Sequence, residues 1–266
     1  MANIFGDNNP NSIVGTVEND IIASGSGDDT VQGVFGDDVI AGGDGNDLLR
    51  GESGNDFLIG ENGNDFLEGG SNDDTLFGGE GNDSLEGNSD NDSLAGGEGN
   101  DFLAGNSGND TLRGEGGNDT LEGSFDNDFL DGGDGDDLLI SFGSSGQDTL
   151  SGGFGADTAD GDGDVDIYLY NNIGDSGSIS RDRIAFESGE DKIDLSPIDA
   201  IANTQEDNAF KFIGAAPFIN NGEGQVRYDA GANLIQAIQG FGDFAAVLEI
   251  ESSVDFDELS ESDFVL

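Results

Sequence analysis

From Gly15 to Leu169 the chain repeats a nine-residue unit of the form GGxGxDxLx, and the sixth place is aspartate in every copy from Asp20 to Asp166. A period this short constrains the fold more than composition could, because one unit cannot bury an apolar face alone and must stack on its neighbours. Fourteen copies run without interruption through residue 140; an eleven-residue variant, SFGSSGQDTLS, follows, and two more copies start at residues 152 and 161. The eighth place is Ile22, Val31 and Ile40, then leucine in every copy from Leu49 to Leu150. One inward apolar residue between outward neighbours predicts a three-residue strand. The glycine-rich first six places predict a turn, because glycine accepts positive φ without a Cβ clash.

One strand and one turn make half a circuit, so the pattern predicts an eighteen-residue coil built from two units, with two turn edges. The edges differ in chemistry. Units starting at 24, 42 and so on carry Ser26, Asp44, Asn62, Glu80, Glu98, Gly116 and Asp134 in third place; the alternate units carry Val17, Phe35, Ser53, Ser71, Ser89, Ser107 and Phe125. The fourth place is always glycine on the first edge, whereas the second has Glu18, Asn72, Asp90 and Asp126 among its glycines. Asn and Asp tolerate a left-handed backbone best among non-glycine residues, so three of these four keep the turn possible. Glu18 marks the end of the array.

Stacked coils place like-charged Asp side chains about 4.8 Å apart, the spacing of neighbouring strands. Each such pair repels by roughly 1–3 kcal/mol for effective dielectrics between 80 and 20, so a dozen stacked pairs rival the whole stability of a domain. A divalent cation between coils converts this repulsion into coordination, and an all-oxygen set of carboxylates and turn carbonyls suits Ca2+ over Mg2+. The candidate ligands are Asp29, Asp47, Asp65, Asp83, Asp101, Asp119 and Asp137 on the first edge, and Asp38, Asp56, Asp74, Asp92, Asp110, Asp128 and Asp148 on the second, with Asp157 beyond. Backbone carbonyls near Gly42, Gly45, Gly78, Gly81, Gly96, Gly99, Gly132 and Gly135 complete them, for about twelve ions in the uninterrupted block. The second-edge sites at Asn72, Asp90 and Asp126 are expected to be weak or empty.

Composition narrows the partners. The 266 residues hold 58 Asp and Glu against 7 Lys and Arg, a net charge of −51, with no Cys and no His. Such a chain repels nucleic acid and anionic membranes. Leu, Ile, Val and Phe make up about a quarter of it, close to the level at which high charge implies disorder, so folding is expected to depend on a ligand. No apolar run approaches the ~18 residues of a membrane span. The N-terminus has neither a basic segment nor an apolar core, so no Sec signal peptide is expected.

The repeat resembles the RTX family of calcium-binding nonapeptides over residues 15–169. That resemblance implies an all-β fold, a right-handed parallel β-roll with two short strands per coil, ordered only when calcium is present. Residues 1–14 are expected to be a lead-in or cap. After Leu169 the period stops, and DIYLY, DRIAF, DKIDL, AFKFIG, QVRYD and AVLEI predict short strands of a β-rich cap over residues 170–266. Five of the seven basic residues, Arg181, Arg183, Lys192, Lys211 and Arg227, lie there. RDRIAFESGEDKIDLSPIDA, AFKFIG and GQVRYD resemble the C-terminal module of serralysin-type secreted metalloproteases and modular mannuronan epimerases, and SDFVL, with Asp263 before Phe264, Val265 and Leu266, is similar to the end of their type I secretion signal. The resemblance implies an extracellular protein exported by a type I apparatus without an N-terminal signal peptide.

The expected role is therefore calcium binding in structural, surface or adhesion work, not catalysis. Absence of His rules out an HExxH zinc site. No acidic pair stands out from the ladder as a glycosidase pair would. Two surfaces suit a cell-surface or matrix polysaccharide or protein. Ile21, Ala23, Val39, Ala41, Phe57, Ile59 and Phe77 form an outward apolar strip, either a contact surface or a face covered by residues 1–14 or by the cap. Ser53, Ser71, Ser89 and Ser107, paired with Asn55, Asp73, Asn91 and Asn109, form a polar ladder that loosely resembles calcium-dependent ice-binding RTX rolls but lacks their Thr ladder; ordinary turn chemistry explains it more simply.

Overall fold

The computed structural model describes residues 1–143, 146–161, 163–171, 182–185, 191–194, 211–212, 225–229, 234–239, 246–252 and 264–265. Within them every regular element is a strand, and the strands form two sheets of twelve and fourteen. The first sheet runs from Asn3–Phe5 and Ile21–Ser26 through every second unit to Thr149–Phe154, Ile167–Leu169, Lys192–Asp194 and Phe264–Val265. The second runs from Ser12–Val14 and Thr30–Gln32 to Thr158–Asp160 and Asp182–Ala185. Successive strands pair in parallel one coil apart, so that Ile40 stands between Ile22 and Leu58, and Leu85 between Leu67 and Leu103. This is the eighteen-residue coil that the alternating units imply, and the fold is a parallel β-roll.

The core is two single rows of eighth-place side chains, one from each sheet, all but excluded from water from Ile22 to Leu150. Packing is longitudinal: each leucine meets the one above and the one below.

Three features depart from the sequence reading. The strands are six residues long through most of the roll, as in Phe57–Asn62 and Ser84–Ser89, not three. Pairing continues past the inward first-place glycine into the turn because the second and third places keep register with the next coil, Gly43 with Glu61 and Asp44 with Asn62. The second as well as the fourth place is left-handed. Asn72, Asp90 and Asp126 have φ of 81°, 76° and 73° as expected, but Val34, Glu52, Glu61 and Glu115 hold φ of 92°, 78°, 77° and 75° in second place. A β-branched residue there costs about 1–2 kcal/mol, which the coil's cross-links must offset. Finally, residues 1–14 form the first coil of the same ladder, with Ile4 opposite Ile22 and Ile13 opposite Val31.

That first coil bears on the apolar strip. Asn3–Phe5 pairs beside Ile21–Ser26 and lengthens the face instead of covering it; Phe5 is 71% exposed, and Ile21, Val39, Phe57 and Phe77 remain exposed. Beyond the roll, strands occur in all six alternating segments of the C-terminal region, and Leu234–Gln239 joins Gln225–Asp229 and Ala246–Ser252 in an antiparallel arrangement. Arg181, Asp263 and most of the residues that carry the serralysin resemblance lie outside the described residues.

Candidate metal centres

Each turn presses its sixth-place aspartate against its own first-place glycine. A Cβ on Gly42, Gly78, Gly96 or Gly132 would collide with Oδ2 of Asp47, Asp83, Asp101 or Asp137. At these positions glycine leaves room for the buried carboxylate. The fourth-place glycines point their carbonyls at the next coil: those of Gly45, Gly81, Gly99 and Gly135 abut Gly63, Gly99, Gly117 and Gly155. The carbonyls of Gly78, Gly96 and Gly132 likewise face the first-place glycine one coil earlier, whereas that of Gly42 accepts a 2.9 Å hydrogen bond from the Ser24 hydroxyl.

The carboxylates do more than stack. Oδ1 of each accepts the backbone N–H of the aspartate one coil earlier, at 2.8 Å from Asp65 to Asp83 and from Asp83 to Asp101, and at 2.7 Å from Asp74's predecessor Asp56 to Asp74. The pattern crosses the eleven-residue variant, with Asp128 N–H donating to Asp148 at 2.7 Å and Asp137 N–H to Asp157 at 2.9 Å. The ladder has a direction: every carboxylate reaches toward the N-terminal end. In the coil of residues 1–14 Ala2 and Asn11 stand where the aspartates would be, and their N–H groups donate at 2.6 Å to Asp20 and Asp29.

The second oxygen is the one that needs a partner. Oδ2 is buried and accepts no hydrogen bond in thirteen consecutive aspartates from Asp29 to Asp137, and again in Asp166. A buried carboxylate oxygen without a donor is costly. Burial accordingly drives the groups from Asp38 to Asp137 upward, and at most of them neighbouring aspartates add to it, while the backbone N–H pulls the other way. Asp65, Asp101 and Asp137 are pushed up to about 7, and Asp92 and Asp128 to about 8. Asp20 shows the contrast: its Oδ2 accepts from Thr16 N–H at 2.7 Å and from the Thr16 hydroxyl at 2.8 Å, and hydrogen bonds, led by that from Ala2, hold it below the usual carboxylate range.

The donor set fits a hard divalent cation. It offers carboxylate oxygens that only accept, beside stacked carbonyls, with no nitrogen or sulfur ligand, and that is calcium's preference. Among the described residues no three acidic side chains converge tightly enough to hold an ion alone, so turn carbonyls are required as ligands. Bound there, the ion would supply the positive charge that the ladder lacks.

Two parts of this arrangement are missed by a nine-residue search. Among the described residues Asp182 and Asp191 are the last rungs, accepting from Asp157 N–H at 3.1 Å and Asp166 N–H at 3.0 Å across 25-residue steps. Their signal is the repeat's own D-x-apolar tail, in DRI and DKI, displaced by an insertion. The fifth place carries a second, exposed ladder of opposite polarity, in which Asn64, Asn82, Asn100 and Asn118 each donate backbone N–H to the side-chain oxygen one coil earlier at 2.7–2.9 Å. Adjacent N–H groups in one turn are thus satisfied from opposite sides.

A family model for the RTX calcium-binding nonapeptide repeat matches residues 5–40, 32–67, 68–103, 104–139 and 142–171. Among solved structures, the solution structure of the AlgE6R3 subunit from the Azotobacter vinelandii mannuronan C5-epimerase is similar at 21% identity, covering 71% of this chain and 80% of that one, with a TM-score of 0.25. The chain has no match among the curated proteins. The family matches take up more than half of the sequence, and the chain belongs to the RTX calcium-binding nonapeptide-repeat family, whose repeats bind Ca2+.

Proposed function

We propose that the chain leaves the cell through a type I apparatus, its signal at the extreme C-terminus of the 170–266 module, and becomes a roll when it meets extracellular calcium. There it serves a structural, surface or adhesion role, with a cell-surface or matrix polysaccharide or protein as partner and no catalysis of its own. The observation that carries this reading is the run of donorless buried Oδ2 atoms from Asp29 to Asp137. At neutral pH such a stack is tolerated only with cations between its rungs, about twelve in the uninterrupted block. Extracellular calcium modules bind at ~10⁻⁴ to 10⁻³ M, far above cytosolic calcium, so binding free energy becomes folding free energy outside the cell. A circular-dichroism titration tests it: the β signal should rise with millimolar calcium and vanish in excess chelator. The same β signal in both would overturn the proposal.

One observation favours glycan binding as the partner chemistry. The second sheet has a shallow groove of about 290 Å³ lined by Arg50, Glu52, Ser53, Glu68 and Asn88, where Gly70 leaves a gap between larger neighbours. Arg50 Nε is held by Glu68 at 2.7 Å. Such a mix of guanidinium, carboxylate, amide and hydroxyl groups suits a polyol, and a glycan array in calcium would read it.

A further inference from the structure

The outer faces of the two sheets differ in charge. On the second sheet the outward seventh and ninth places carry Arg50, Glu68, Glu86 and Glu122; on the first, no such place from Ile21 to Ala95 is charged, in a chain of which 24% of the residues are. Phe5 and Phe77 stand in one row of this face, four coils or about 19 Å apart. The Phe57 and Phe77 rings meet at 5.5 Å at one end, Phe5 is exposed at the other, and Ala23 and Ala41 make a low floor between them. Both flanks are acidic. Asp37 and Asp73 precede the strands, and Asp44, Glu80 and Glu98 end them. All five are exposed, and neither of the ion pairs among the described residues, Met1 with Glu18 and Arg50 with Glu68, involves them.

These features select the occupant. The strand backbones are paired to the coils above and below, so the face offers side chains only and cannot accept an added strand. From Ile21 to Ile59 its outward places have no hydroxyl, amide or charge to hold a sugar. A second copy would bring its own carboxylates against these. The apolar footprint, about 19 Å long and two side chains wide, also falls short of the ~800 Å² that a standard interface buries on each partner. An α-helix satisfies its own backbone, is about 10 Å wide, and spans about 19 Å with roughly thirteen residues. Its apolar stripe would cover the strip, and Lys or Arg beside that stripe would reach the carboxylates on both flanks.

We infer that the outer face of the first sheet, from Phe5 to Phe77, docks a basic amphipathic helix of a partner protein. The inference rests on the proposed calcium-loaded roll and gives its protein partner a chemistry. Fluorescence anisotropy tests it on the full chain in millimolar calcium, with a labelled Leu/Lys peptide of about eighteen residues whose leucines fall on one helical face. Wild type should bind this peptide about tenfold or more tightly than a scrambled peptide of the same composition. Phe57→Thr and Phe77→Ala, the residues these places hold one coil on at Thr75 and Ala95, should together remove that preference, while Phe102→Ala on the second sheet keeps it. Equal binding of the two peptides, or an undiminished preference in the double variant, would overturn the docking face. Self-association of wild type that the double variant abolishes would give the strip to a second copy and overturn it too. Circular dichroism of the same samples separates the two readings. A calcium-dependent β signal without peptide preference overturns the docking face alone; a β signal that persists in chelator, with the preference intact, overturns calcium-controlled folding and leaves the face standing.

Discussion

The two edges of the roll are built from the same repeat and cross-linked differently. On the first edge the fourth-place N–H donates to the third-place carbonyl of the next coil at all seven glycines from Gly27 to Gly135, at 2.6–2.8 Å. On the second edge the same bond is made by Gly36 and Gly54; at Asn72 the N–H turns to the Asp90 carboxylate at 3.2 Å. A side chain in one turn position thus exchanges a backbone cross-link for a charged one. From Asp29 to Asp137 the sixth-place carboxylates are alike on both edges, each with its donorless Oδ2. Charges outside the ladder add to burial on both edges: Asp90 and Asp126 raise Asp74 and Asp128 on the second, and Glu115 and Asp136 raise Asp101 and Asp137 on the first. Sites of one family can therefore differ in strength through a residue that is not itself a rung.

The largest effect follows from replacing calcium with protons. Asp110, Asp101 and Asp92 sit at about 6, about 7 and about 8 in the roll, against about 3.9 in an unfolded chain. A raised carboxyl binds its proton more tightly when folded, so this stabilisation is complete below about pH 4 and is lost as pH rises through 6 to 8. The metal-free chain should be unordered at pH 8 and gain β signal on acidification to pH 5. Raised rungs occur on both edges, Asp110 and Asp92 on the second and Asp119 and Asp101 on the first, so amide exchange should show the two edges protected together. Equal disorder at both pH values would remove the rungs from control of folding.

A smaller effect comes from single rungs. Asparagine retains the Oδ1 acceptor for the upstream N–H and loses the charge, so Asp83→Asn and Asp92→Asn separate the hydrogen bond from the cation. In calcium each should lower stability by about 1–3 kcal/mol in thermal unfolding. Asp83→Asn should lose more, because the first edge keeps all its backbone cross-links. In chelator at pH 8 both should be more stable than wild type, since each removes repulsion of roughly 1 kcal/mol or more per neighbouring rung. Equal losses in calcium would erase the distinction between the edges.

The ladder's existence is legible in the sequence because its two essentials are periodic: leucine in the eighth place makes the core, and aspartate in the sixth makes the stack. Its wiring is not. Nothing in a row of aspartates reveals that Oδ1 reaches the upstream N–H while Oδ2 is left over, since that division depends on the collision geometry at glycines such as Gly42 and Gly96. The ends hide for the opposite reason. Ala2 and Asn11 take part through backbone N–H alone, which no side chain announces, and Asp182 and Asp191 keep the motif but lose its spacing. The six-residue strands are obscured by second-place residues such as Glu52 and Glu61, whose side chains argue against the left-handed backbone they adopt.

Asp90→Gly is the smallest change and the most discriminating one for the edges, because it turns a second-edge turn into a first-edge turn. Asp90 holds φ of 76°, and glycine adopts that conformation without a Cβ penalty. Relief of this strain contributes up to about 1 kcal/mol, partly offset by the loss of the carboxylate that holds Asn72 N–H at 3.2 Å. With calcium bound, a net gain of about half a kcal/mol would raise Tm by one or two degrees in a chain of this size. A rise places Asp90 among residues that only loosen the turn. A fall of that size, matched by weaker calcium binding, would make the acidic edge the tighter one and reverse the order of the two edges.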